Sequence, residues 1–138
     1  MNLSRGDVLY DIGFIYPGDT TPCDKLLLIV NKNYKDPQDV VFIPCTTHKD
    51  DHQYKTGCNE IEKVFYFNDK IGFYDSKTIL QIYLIDSMTI DTLNNLVNTG
   101  RIKQAKGKNT TTEEINRIIN CLKNLKDDIA WYIQDLIF

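Results

Sequence analysis

The runs LLLIV at residues 26–30 and VVFI at residues 40–43 decide the fold. Between them lies DPQD at residues 36–39, which is a strong turn signal. Apolar runs this short, rich in β-branched residues and bracketed by turns, are typical of buried strands rather than helices. The pattern therefore predicts two adjacent strands at the centre of a sheet.

Further strand signals flank this pair on both sides. Residues 7–14 alternate weakly and stop at the YPGD turn of residues 16–19, while residues 64–67 and 78–85 form two more apolar runs. Residues 48–60 are polar and aperiodic, which predicts a loop of the kind that carries binding sites on a rigid scaffold. Several short strands at this spacing predict a small barrel.

The last third of the chain has helical periodicity. A short helix beginning after residue 86 is predicted to stop at Gly100. A longer C-terminal helix is predicted over about residues 111–137, because Thr111 and Glu114 fit a capping box and an apolar stripe follows. The stripe is expected to pack on its own domain, with a dimer or partner face as the alternative. The predicted fold class is α+β in one domain.

Composition excludes several classes of protein. A chain of 138 residues with 42% hydrophobic residues suits one domain with its own core. It contains no apolar run near the roughly 18 residues of a membrane span and no signal peptide, so we expect no membrane association and a cytoplasmic location. The net charge of −3 argues against non-specific coating of DNA. The basic segment 101–108 is interpreted as a solvated loop, with a phosphate contact as the alternative.

Four cysteines, Cys23, Cys45, Cys58 and Cys121, occur in a chain with enough core residues not to need disulfides. None of their spacings forms a C-x-x-C pair, so zinc binding is weakly supported. We expect four reduced thiols that pack as small apolar residues, with two disulfides as the alternative.

Three motifs follow one another along the first hundred residues. They are RGDVLY at residues 5–10, KLLLIVN at residues 25–31 continued by VFIPCTTH at residues 41–48, and QIYLID at residues 81–86 continued by GRI at residues 100–102. In order, spacing and strand context they resemble the MazF/PemK/Kid family of bacterial toxins, the endoribonuclease halves of type II toxin–antitoxin pairs. The resemblance covers roughly residues 4–102.

This resemblance implies both a fold and a function. The fold would be a small SH3-like β-barrel over about residues 4–104, with a short helix and a long C-terminal helix, within a single MazF/PemK-like domain of residues 1–138. The protein would be a cytoplasmic homodimer that cleaves single-stranded RNA without a metal or cofactor, leaving 2′,3′-cyclic phosphate ends. Its protein partner would be a cognate antitoxin.

The resemblance also implies which residues act on the RNA. Attack of a 2′-hydroxyl on the adjacent phosphate needs a base, an acid and donors for the developing charge. The family's phosphate-binding Arg and Thr fall on Lys25 and Thr46, and Lys retains the charge without the bidentate fork of Arg. The family's acid–base pair falls on Thr78 and Leu80, so His48 is the expected proton-transfer residue, with an exposed loop histidine as the alternative.

The remaining candidates are expected to contact RNA, and His52 could also share proton transfer with His48. They are Thr47, His52, Tyr54, Asp24 and Gln81. Tyr54 is expected to stack on a nucleobase, with packing as the alternative. Asp24 either serves as a general base, pairs with Lys25 or is simply solvated. Because Thr78 and Leu80 cannot transfer protons at neutral pH, the alternative function is a catalytically degenerate barrel that binds RNA or protein.

Overall fold

A computed structural model of the chain describes residues 2–47, 53–67, 78–105 and 110–138. Within these residues an open antiparallel sheet of eight strands is combined with three α-helices. The predicted α+β class is therefore confirmed.

The sheet is centred on the two strands that the apolar runs predict. Its strands are β1 (Val8–Phe14), β2 (Cys23–Ile29), β3 (Val40–Thr47), β4 (Gly57–Asn59), β5 (Val64–Phe67), β6 (Thr78–Leu80), β7 (Asp86–Met88) and β8 (Ile102–Gln104). The strand order is β4-β5-β6-β3-β2-β1-β8, and β7 pairs with the first half of β3. The adjacent central strands β2 and β3 confirm the prediction from residues 26–30 and 40–43.

Both faces of the central strands are covered. On one face, Leu28 and Ile43 pack against apolar residues of the C-terminal helices. On the other face, Leu27 packs in a separate cluster with Leu93 of the short helix. Strands buried on both sides have nearly continuous apolar sequences, which accounts for LLLIV and VVFI.

The helices are α1 (Ile90–Asn98), α2 (Thr112–Asn124) and α3 (Trp131–Ile137). The predicted start of the C-terminal helical region is confirmed, because Thr111 is the N-cap of α2 and its hydroxyl accepts a hydrogen bond from the backbone N–H of Glu114. The predicted stop after α1 is confirmed as well, since Gly100 has a φ of 80°.

The prediction of one continuous helix over residues 111–137 is wrong. The chain leaves the helix after Asn124, passes through a 3-10 turn over residues 126–128, and starts again at Trp131. A straight helix of that length would extend about 40 Å, whereas the eight residues of β3 span about 26 Å. The break turns α3 back so that its apolar residues, including Ile133, reach the same core.

The prediction of one strand over residues 78–85 is also wrong. Leu80 pairs with Cys45 and Asp86 pairs with Phe42. The six residue steps from Leu80 to Asp86 therefore lie beside only three residue steps of β3. The surplus residues form a 3-10 helix over residues 82–84. A hydrophobic pattern does not report how many residues the partner strand offers, so this interruption was not predictable from it.

The expectation of four reduced thiols is wrong for two of them. Cys58 and Cys121 form a disulfide with a Cα–Cα distance of 5.5 Å, while Cys23 and Cys45 are free. Cys58 lies in β4, within the segment that the sequence indicates is a loop. Pairing of β4 with β5 brings Cys58 beside α2 across a separation of 63 residues, which sequence spacing does not reveal.

Candidate functional site

A row of side chains crosses one face of the sheet, and we call it the site face. The ladders pair Asp11 with Lys25, Thr46 with Ile79, and Ile79 with Tyr66. The ladder between β2 and β3, continued by one position, places Lys25 opposite Thr46. Residues opposite each other in antiparallel strands share a face. Lys25 and Thr46, predicted to act together, are therefore neighbours.

Lys25 is covered by an aromatic side chain. Only 7% of Lys25 is exposed, and its Nζ lies 4.7 Å from the centre of the Tyr16 ring. This geometry is a cation–π contact, in which the face of the ring takes the place of water around the ammonium group. Tyr16 belongs to the turn after β1, whose YPGD sequence indicated a turn but not a contact with Lys25.

Gln81 joins this group from the end of β6. Its backbone N–H donates to the carbonyl of Pro44 at 2.8 Å, which fixes it beside β3. The side chain is 4% exposed, and its Nε2 donates to the hydroxyls of Tyr16 at 3.3 Å and Tyr83 at 3.0 Å. The amide thus holds the ring that covers Lys25.

Tyr54 lies at the far end of the site face. Its ring centre is 5.7 Å from that of Tyr66, and both rings pack with Ile79. Tyr66 is only 6% exposed and is separated from Thr46 by Ile79, so the partly exposed Tyr54 ring is the accessible member of the pair. The prediction that Tyr54 stacks on a base remains a prediction.

Asp24 lies apart from the other candidates. The alternation of β2 places it on the opposite face from Lys25, where its carboxylate accepts a hydrogen bond from Tyr10 Oη at 2.8 Å. This hydrogen bond is the main reason that the pKa of Tyr10 is raised. Although Asp24 and Lys25 are adjacent in sequence, their side chains therefore lie on opposite faces of the sheet.

Three of the predicted residues have little or no structural description. His48 and His52 lie outside the described residues. Thr47 ends β3 opposite Thr78, and its side chain is not among the described ones. Their roles in proton transfer and RNA contact remain predictions.

Arg101, the first residue of the basic segment, is used within the fold. Its Nε and Nη2 donate to the two oxygens of Asp11 at 3.0 and 3.2 Å, and the N–H of Gly13 donates to Asp11 at 2.9 Å. A Cβ at Gly13 would lie 2.8 Å from Arg101 Nε, so a side chain there would displace Arg101 from this position. The Asp11 carboxylate, which lies opposite Lys25 in the ladder, is thus bound by Arg101.

Cys45 is not a nucleophile in this arrangement. It lies in the core on the other face of β3, and burial raises the pKa of its thiol to about 12, against the smaller opposing effect of the Lys25 charge. A thiol with that pKa stays protonated at neutral pH, and thiols react as thiolates.

Comparison of the chain with protein-family models and with curated proteins gives no match in either case. None of the helices in the described ranges is long and apolar enough to cross a membrane. Chemically, the site face holds an ammonium covered by Tyr16, a neighbouring hydroxyl and, two strands beyond the hydroxyl, the Tyr54–Tyr66 ring pair. An ammonium and a hydroxyl suit an anionic group, and an aromatic ring suits a flat substituent.

Proposed function

We propose that this protein is a MazF/PemK-like toxin that cleaves single-stranded RNA without a metal. The observation that carries the proposal is the adjacency of Lys25 and Thr46 on one face, in line with the Tyr54 and Tyr66 rings. The first two groups suit a phosphodiester and the rings suit an unstacked base. The proposal includes the SH3-like barrel for the sheet, a cytoplasmic homodimer, and an antitoxin partner.

In the proposed reaction, a 2′-hydroxyl attacks the neighbouring phosphorus and the 5′-oxygen leaves, so that a cyclic phosphate remains. Lys25 stabilises the charge that develops on the phosphoryl oxygens, and the hydroxyl of Thr46 donates to one of them. Proton transfer is assigned to His48, as the imidazole that follows β3 in sequence. His52, Thr47 and Gln81 are assigned to RNA contact.

Cleavage of a long single-stranded RNA in EDTA tests this function. Wild-type protein should give fragments with 2′,3′-cyclic phosphate ends, and Lys25→Ala should lower kcat by roughly 100-fold, as for loss of one oxyanion donor. Thr46→Val, which keeps the side-chain shape, should lower kcat by about tenfold or more. Lys32→Ala is the matched control, because Lys32 is exposed beyond the other end of β2. Intact RNA with wild-type protein rejects the nuclease.

A second function, an RNA-binding module without catalysis, is favoured by one observation. Lys25 is almost fully covered by Tyr16, so RNA reaches its ammonium only if Tyr16 moves. Fluorescence anisotropy with a labelled single-stranded RNA separates the two functions. Binding that weakens in Tyr54→Ala while the RNA stays uncut supports the module, and cleavage excludes it.

A further inference from the structure

We infer that Cys58 is a thiol–disulfide exchange site through which a small thiol releases strand β4 from helix α2. The disulfide joins an edge strand of three residues to the last turn of helix α2, at a position on the buried face of that helix. The two cysteines also differ in exposure, because Cys121 is 1% exposed whereas Cys58 is partly exposed. An incoming thiol therefore reaches Cys58 first.

Within the described residues, strand β4 has few apolar side chains to fix it to the helical layer. Its other residues are Gly57 and Asn59, so Cys58 is its single contribution of this kind to the core. The side-chain amide of Asn59 bonds to backbone groups of Lys55 and Gly57, within the same segment. Once the disulfide is reduced, the segment keeps a three-residue ladder with β5 and the packing of Tyr54 on Tyr66 and Ile79, and a ladder this short is marginal by itself.

Helix α2, by contrast, does not depend on the disulfide. Ile118, Ile119 and Leu122 flank Cys121 and are buried in the main core. Reduction should therefore loosen the β4 side of the link and leave the helix in place.

A guanidinium group lies beside the exchange site. Arg117 precedes Cys121 by one helical turn, and its Nη2 would lie 3.5 Å from a Cβ at Gly57. Its guanidinium carbon is 5.6 Å from the ring of Phe65, the ladder partner of Cys58. A neighbouring cation favours thiolates, so Arg117 both attracts the attacking thiolate and stabilises the departing one.

The reaction balances with two equivalents of thiol. A thiolate attacks Cys58 Sγ, the bond between the cysteines breaks, and Cys121 Sγ leaves with the electron pair and takes up a proton. A second thiolate attacks the outer sulfur of the mixed disulfide and frees Cys58. The protein gains two electrons and two protons, and the small thiol is oxidised to its disulfide.

The segment that reduction releases carries Tyr54, four residues before Cys58. Exchange at Cys58 would thus loosen the aromatic end of the site face and leave Lys25 and Thr46 in the central ladders. The effect on RNA rests on the proposed function, whereas the exchange reaction itself does not.

Mass spectrometry and hydrogen exchange on the full oxidised chain test this inference, in a Cys23→Ser background that removes the other partly exposed thiol. With glutathione we expect one mixed disulfide on Cys58, formed several-fold more slowly in Arg117→Gln than in the control Lys123→Gln. After full reduction with dithiothreitol, the amides of residues 53–59 should exchange about tenfold faster or more, with β2 and β3 unchanged.

Three results of the mass spectrometry would overturn it: an adduct on Cys121, no adduct, or equal rates of adduct formation in the two variants. Unchanged exchange in residues 53–59 would also overturn it, because β4 would then be held without the disulfide. Faster hydrogen exchange in β2 and β3 would also overturn it, because the disulfide would then stabilise the whole fold rather than strand β4. Since neither readout uses RNA cleavage, failure here is distinguishable from failure of the proposed nuclease.

Discussion

At the scale of single residues, the site depends on how Tyr16 is held over Lys25. A Lys in a strand is normally exposed, and here an aromatic ring replaces water around the ammonium. The ring is held in turn by the buried amide of Gln81. Any ligand of Lys25 therefore competes with a contact inside the protein.

Substitution Gln81→Leu should uncover Lys25. The variant keeps the size of the side chain but loses the hydrogen bond to Tyr16, and a hydrogen bond contributes about 1 kcal/mol. We expect Lys25 to be acetylated by acetic anhydride about fivefold faster than in wild type, as read by peptide mass spectrometry. Lys32, which is exposed in both proteins, serves as the internal control. Equal rates of Lys25 acetylation in the variant and in wild type would mean that Gln81 does not hold the Tyr16 ring over Lys25.

Cys45 should make stability sensitive to alkaline pH. Its folded-state pKa is raised from 9.0 to about 12, so the unfolded chain loses the thiol proton first. The stabilisation is complete below pH 9 and is lost as pH rises from 9 towards 12, by at most about 1.4 kcal/mol per pH unit.

Urea unfolding between pH 8 and pH 10.5 measures this effect. In a Cys23→Ser background, the stability difference between the parent and Cys45→Ala should shrink above pH 9. A difference that is constant across this pH range would contradict the protected thiol.

At the scale of elements, the Asp11–Arg101 pair fastens β8 to β1. Asp11 is 2% exposed and Arg101 reaches it from the residue before β8. Breaking a buried ion pair by removing one partner is strongly destabilising, because the other charge stays buried.

Substitution Arg101→Leu should therefore lower the free energy of unfolding by about 2 kcal/mol, below the usual range for buried pairs because 38% of the Arg101 side chain is exposed. Lys103→Leu is the control, since Lys103 is exposed on the same short strand and should change stability by about 0.5 kcal/mol or less. Urea denaturation gives both values, and equal effects would argue that the pair is unimportant.

At the scale of the whole molecule, the sheet separates two cores. Leu27 and Leu28 are adjacent in β2 but lie in different clusters, and both are fully buried. A strand with one face in water would tolerate truncation at one of the two positions.

Substitutions Leu27→Ala and Leu28→Ala should each lower the free energy of unfolding by about 2 to 5 kcal/mol, because each leaves a cavity in a packed core. Unfolding followed by circular dichroism and by Trp131 fluorescence should show one coincident transition in both variants. Lys35→Ala, an exposed position between β2 and β3, should unfold like wild type. A small change in the free energy of unfolding at either leucine would mean that its face of the sheet is loosely covered.

The pattern of apolar residues was sufficient to predict the α+β class, strands β2, β3 and β5, and both helix caps at Thr111 and Gly100. These features are local: burial on both sides gives continuous apolar runs, and a cap needs only its own backbone neighbours. The adjacency of Lys25 and Thr46 was predicted through the family resemblance, and it follows from the ladder between two strands that the sequence did indicate.

The tertiary structure alone decided the rest. Tyr16 and Tyr83 belong to the site although the sequence did not indicate them, and Asp24 lies on the opposite face although it was predicted to be in the site. Sheet alternation and turn geometry determine which side chains meet. The strand is interrupted at Gln81 because β3 offers only three residue steps between the partners of Leu80 and Asp86, and the helix ends at Asn124 so that α3 packs on the same core as α2. The Cys58–Cys121 disulfide joins positions 63 residues apart, and their distance depends on how β4 and α2 pack rather than on local sequence.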